Sequence, residues 1–182
     1  MQENSNNIEQ AIPQFYVVSL NKFLVLFMGT SGLYMLYWFY KQWALYKQSV
    51  NGKQIPVMRA LFPIFFVHSL FNKLTAFYTQ KSGKQSSALQ TAATLFVVVG
   101  VISFFTGNVP EESPWKPFLL LLNLFFTPIL CWFCYQAQWF INYISDDLEG
   151  ESNKTYTPAN YAWLVIGAFF WCMYIIGLIG SF

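Results

Sequence analysis

Four stretches of the chain, residues 23–40, 87–106, 117–140 and 159–182, contain no Asp, Glu, Lys or Arg, and every charge falls between or before them. They are 18, 20, 24 and 24 residues long. About 20 apolar residues in a helix, each rising ~1.5 Å, cross the hydrocarbon core of a bilayer. The pattern therefore predicts an all-α membrane protein: a single membrane domain over 1–182, built as a four-transmembrane-helix bundle.

A fifth apolar piece, residues 60–71, is only twelve residues long, too short to cross. It opens a two-faced helical pattern inside segment 54–84. Phe66, Val67, Leu70, Phe71, Leu74, Phe77 and Tyr78 share one face, while His68, Ser69, Asn72, Lys73, Ala76 and Gln80 fill the other. Pro63 interrupts the backbone just before it. The expectation is an amphipathic helix, interfacial or re-entrant, on one side of the membrane.

Charge assigns that side. Residues 41–86 hold Lys41, Lys47, Lys53, Arg59, Lys73, Lys81 and Lys84 without a single acid. Basic loops stay in the cytoplasm. With four spans, eight basic residues fall inside (these seven and Lys154), against Lys22 and Lys116 outside; a fifth crossing would even the two sides. Both termini are then expected outside. Aromatic residues fit the same boundaries: Tyr37, Trp38, Tyr40 and Trp43 at the inner end of the first span, Trp139, Tyr143, Tyr161 and Trp163 at inner ends, Trp115 at an outer one.

The third span carries a polar seam. Asn123, Thr127, Cys131, Cys134, Gln138 and Asn142 recur at intervals of three and four, which places them on one helical face. Uncharged polar groups in hydrocarbon must be partnered, so the seam should face the bundle interior, either to bond neighbouring helices or to line a solute path. Pro128 beside it should bend the helix. Cys131 and Cys134 form a C-x-x-C pair on that face, open to soft-metal or thiol chemistry, yet no outward-facing cysteine pair accompanies them to relay electrons.

Composition narrows the chemistry further. The chain is 55% hydrophobic and 10% charged, with a net charge of +2, which excludes a soluble globular domain and the footprint of a nucleic-acid binder. All three cysteines lie in apolar spans, so a disulfide framework is not expected. The first fourteen residues lack the basic start of a secretory signal. His68 is the only histidine and has no carboxylate in its segment. The acidic run Asp146, Asp147, Glu149 and Glu151 lacks EF-hand spacing and reads as a solvated loop. Small residues in spans one, two and four, among them Gly29, Gly32, Gly100, Gly167 and Gly177, permit close helix contact.

Residues 15–43, with Val18-Ser19, Lys22-Phe23 and a Gly-x-Tyr-x-x-Tyr-Trp-x-Tyr run from Gly32 to Tyr40, resemble the opening of a group of small bacterial multi-pass inner-membrane proteins. Residues 65–71, Gln138 with Asn142, and Thr157 to Asn160 are similar to later pieces of that group. The resemblance implies a bacterial inner-membrane location and a four-helix core, and it carries no reaction.

These readings lead to a non-enzymatic accessory protein that binds lipid or a partner. Its expected contact residues are Arg59, His68, Asn72, Lys73, Lys81 and Lys84, and its partners are anionic lipid, another membrane protein or a second copy of itself. Basic residues beside anionic headgroups contribute about 1 kcal/mol each. A small oligomeric channel or carrier using the seam of span three is the first alternative, an intramembrane thiol redox or metal protein the second. No catalytic residue, metal site or cofactor is expected.

Overall fold

A computed structural model describes residues 13–110 and 112–181. The N-terminal tail to residue 12, expected outside from the four-span reading, lies beyond the described residues. Seven α-helices and one 3-10 turn make up the described chain: α1 Leu20–Gly29, α2 Tyr34–Val50, α3 Pro56–Leu61, α4 Pro63–Ser82, α5 Ala88–Gly107, α6 Lys116–Ile144, the turn Glu151–Asn153, and α7 Pro158–Gly180. No described residue is in a strand. Three helices, α5, α6 and α7, are long and apolar enough to cross a membrane.

The expected first span is two helices rather than one. The run Gly29-Thr30-Ser31-Gly32 ends α1, because Ser31 (φ 52°) and Gly32 (φ 83°) adopt the left-handed conformation that a helix cannot contain. The buried Thr30 hydroxyl holds the break: it donates to Leu26 O at 2.7 Å and accepts from Tyr34 N at 2.9 Å, bonding the end of one helix to the start of the next. The chain then turns back. Lys22, at the start of α1, reaches Asn153 and Thr155, whereas Gly32 lies against Thr127 in the middle of α6. From there α2 returns past Gln138 to the end where it began.

The other boundaries follow local rules. Proline opens α3 and α4 at a position whose N–H would have no partner. Left-handed Asn51 closes α2, and left-handed Gly83 closes α4. Thr157 and Asn160 form a capping box that starts α7.

Helix α5 packs antiparallel to both α4 and α6, which run parallel to each other. Ile64 meets Gly100, His68 Nε2 lies 3.2 Å from Thr94 Oγ1, Ser103 Oγ donates to Asn123 at 2.7 Å, and Lys81 Nζ donates to Ile144 O at 2.8 Å. The long α7 rests on α1 and only touches α6. At the α1–α7 crossing a methyl group on Gly167 would collide with the Gly29 carbonyl and the Thr30 Cα, so two backbones meet where only glycine fits.

The ends of the molecule are named here by these contacts. The basal end holds the start of α1, the end of α2, the α4–α5 turn, the end of α6 and the start of α7. The far end holds the α5–α6 connection and the end of α7. The core is basal: Phe23, Trp38, Phe39, Trp43, Phe71 and Phe96 are fully buried, linked by ring contacts such as Trp38–Phe39 at 4.9 Å and Phe39–Phe96 at 5.9 Å. The apolar face of α4 lies in this core. Val67, Leu70, Phe71 and Leu74 have no exposed surface, so the face that the amphipathic pattern offers to a membrane surface is covered by protein.

Candidate functional site

The polar seam of α6 divides into two parts. Toward the far end, the Asn123 amide accepts from Ser103 Oγ at 2.7 Å and donates to Thr106 Oγ1 at 2.8 Å, joining α5 to α6. Thr127 packs its methyl toward Gly32, and Cys131 and Cys134 are buried free thiols. Toward the basal end, Gln138 accepts from Trp38 Nε1 at 2.6 Å and donates to Asn142 Oδ1 at 2.7 Å. Asn142 in turn donates to Val18 O at 3.0 Å. Both amides are fully buried.

What these amides bond is an extended segment, residues 14–18, which no repeating pattern marks. Tyr16 N donates to Gln42 Oε1 at 2.9 Å, and Tyr16 O accepts from Gln42 Nε2 at 3.1 Å and from Gln138 Nε2 at 3.2 Å. Asn153 Nδ2 donates to Val17 O at 2.8 Å. A buried extended backbone has no helix ladder to satisfy it, so side-chain amides take that role. Gln42 and Asn153 were not among the sequence candidates. A glutamine at mid-helix among aromatic neighbours was the available sign for the first.

Lys22 completes this region. Its ammonium donates to Asn153 Oδ1 and Thr155 O, both at 2.7 Å, and burial holds its pKa below the usual lysine value. The four-span count put Lys22 and Lys154 on opposite sides. The structure places Lys22 beside the Glu151–Asn153 turn, at the same end as Lys154, because the break at residues 30–33 folds the chain back before it can cross.

The basic residues of segment 54–84 divide as well. The Arg59 guanidinium stacks between Trp43 and Phe66, 4.1 and 4.9 Å from their ring centres, and Lys73 lies 4.8 Å over Tyr46. Lys81 pairs with Asp146 at 2.6 Å. Lys84 is exposed on the α4–α5 turn. The acidic run is engaged too: Asp147 accepts from Glu151 N at 2.7 Å and Ser152 N at 3.0 Å, and Glu151 pairs with Lys154. Among the described residues no three His, Cys, Asp or Glu side chains converge as a metal site would require.

His68 and Asn72 are both exposed, two and one helical turns above an open groove between α4 and α5 whose lining they do not join. At its basal mouth the groove encloses about 700 Å³ lined by Thr75, Ala76, Thr79, Gln85, Ser86, Ser87 and Gln90. Every lining side chain but Ala76 offers a hydroxyl or an amide, and none is charged. Helical spacing carries the same face upward through Asn72 to the His68–Thr94 contact. Above that, Ile64 against Gly100 closes it with apolar surface.

The arrangement belongs to an all-helical chain with three apolar helices of membrane-crossing length, which is the architecture of an integral membrane protein. The chain matches no family model, no curated protein and no solved structure.

Proposed function

We propose that this is a non-enzymatic, three-span protein of the bacterial inner membrane that holds a polar lipid headgroup in the α4–α5 groove. The observation that carries the reading is the groove itself. It is an uncharged, open pocket of about 700 Å³ at the α4–α5 turn, lined by hydroxyls and amides, beside helices with exposed apolar side chains. Such a surface suits a ligand with many hydrogen-bonding groups and an adjoining apolar body. Lys84 and the start of α5 at the mouth favour an anionic headgroup.

Charge supports the orientation. With the first segment folded back, Lys22 joins the basal set, and eight basic residues stand toward that end, with Arg59 between them and the α3–α4 elbow, against Lys116 alone at the other. That is a stronger asymmetry than four spans produce, and it assigns the basal end to the cytoplasm. Trp139, Tyr143 and Trp115 then sit at the two interfaces of α6.

The test is native mass spectrometry in mild detergent after incubation with phosphatidylglycerol or phosphatidylcholine. Wild type is expected to retain one phosphatidylglycerol preferentially, and Thr79→Leu with Gln90→Leu to lower that retention about 10-fold, a change of ~1.4 kcal/mol. Equal retention by the double variant, or a retained protein partner with no lipid, overturns the lipid reading. A bare homo-oligomer that admits ions to liposomes would favour the channel.

A further inference from the structure

We infer that this protein is a wedge that fits a curved bilayer, with its wide end in the leaflet at the basal side. The inference rests on reading α5, α6 and α7 as membrane-spanning. It does not depend on what occupies the α4–α5 groove.

Two chain reversals stop at one depth. The α1–α2 turn ends where Gly32 meets Thr127, and the α3–α4 elbow ends where Ile64 meets Gly100. Thr127 lies eleven residues from Lys116, the far end of α6. At ~1.5 Å per residue that is about 16 Å, close to half of a ~30 Å hydrocarbon core. Beyond this depth only α5, α6 and α7 continue, and no residue of 97–107, 116–125 or 168–180 is buried.

The reversals are built for lipid. At the α3–α4 elbow Met58, Leu61, Phe62 and Phe65 are exposed, Phe65 by 71%, and on α1 Leu24 and Val25 are exposed. The cations near the elbow do not contradict this placement. Arg59 is covered by Trp43 and Phe66, and Lys73, ten residues below Pro63, lies toward the basal surface over Tyr46. Lipid of one leaflet is the occupant these surfaces require, because their depth stops where that leaflet stops.

The consequence is an imbalance of area. One leaflet accommodates parts of all seven helices and the other only three. With helices ~10 Å across, the difference is about 300 Å². A body wider in one leaflet expands that leaflet and is best accommodated where it is convex.

Two measurements on the full-length protein decide it. First, Phe62→Cys, made with Cys172→Ser, is spin-labelled in phosphatidylcholine/phosphatidylglycerol vesicles. Its collisions with oxygen and with a water-soluble nickel chelate should match those of a label at Ile129→Cys in mid-span. Nickel access like that of the basal Gln48→Cys overturns the inference. Second, Gln48→Cys is labelled with an impermeant maleimide after reconstitution into small sonicated and large extruded vesicles. Basal-out molecules should outnumber basal-in at least threefold in the small vesicles, and the ratio should fall toward one in the large ones. A ratio independent of vesicle size overturns the wedge even if the elbow is buried. Phe62, Ile129 and Gln48 are all exposed, so these substitutions leave the core intact, and retained thermal stability verifies it.

Discussion

The basal half and the far half of this molecule are made from similar residues and solve different problems. Basally, large aromatic rings and paired amides are packed until nothing is exposed, as at Trp38, Gln138 and Asn142. In the far half, helices more apolar than α2 and α4 keep their side chains outward: Phe104, Phe105, Phe118, Ile176 and Ile179 are all exposed. The difference teaches that hydrophobicity alone does not locate a core here. Buried hydrogen bonds do, since amides of α2 and α6 tie these helices to each other and to residues 16–18 with contacts that lipid cannot replace.

That contrast can be broken most severely at its joint. Gly167→Val forces side-chain atoms into the Gly29 carbonyl and should cost about 3 kcal/mol or more, read as a large fall in thermal midpoint in detergent. Next comes Gln138→Leu, which leaves Trp38 Nε1 and one acceptor bond of Tyr16 O without their partner. It should destabilise by about 2–3 kcal/mol in the same assay. Asn123→Leu, the equivalent change in the far half, should cost only about 1 kcal/mol, since the Thr106 hydroxyl keeps its bonds to the Ile102 and Ser103 carbonyls and Ser103 and Asn123 are only half-buried. If the two substitutions cost the same, the distinction between halves fails. Ile176→Ala should change stability by less than about 0.5 kcal/mol. A larger loss there means the far half is packed against a second chain.

The smallest effect is a pH dependence. Hydrogen bonds from Ser152, side chain and backbone, and from the Glu151 and Gly150 backbone hold the Asp147 carboxyl below the ordinary aspartate range. A carboxyl lowered on folding stabilises the fold above its unfolded pKa, and that contribution is lost as pH falls through the folded value. Acid titration of thermal stability should therefore show a shallow acidic loss that Asp147→Asn removes.

The long uncharged stretches made α5, α6 and α7 legible, with bounds close to those expected, and the three-to-four spacing placed the α6 seam on one inward face. The first stretch misled for a physical reason. Eighteen uncharged residues satisfy the length of a span, yet the small residues that let Gly29 and Thr30 meet Gly167 also end the helix, sealed by the Thr30 hydroxyl. That one break moved Lys22 to the other end. Segment 66–80 reads as two-faced, but periodicity reports only that a face is apolar; whether protein or lipid covers it depends on the reversal of α2. The groove was legible only through His68 and Asn72 above it, because Thr79, Ser86, Ser87 and Gln90 are individually ordinary polar residues and become a site by juxtaposition.

The extended segment at residues 14–18 has a consequence for synthesis. Its backbone partners include Gln138, Asn142 and Asn153, which leave the ribosome more than 120 residues later. At roughly 5–20 residues per second that is a delay of about 6–30 s, during which this stretch of backbone must wait without them. The N-terminal hairpins can insert early, but they lock only when the last helix pair arrives, so the order of assembly runs from the end of the chain back to its beginning. Chains truncated after α5 should be degraded rapidly in a pulse-chase experiment, while chains truncated after α7's first turn should begin to persist.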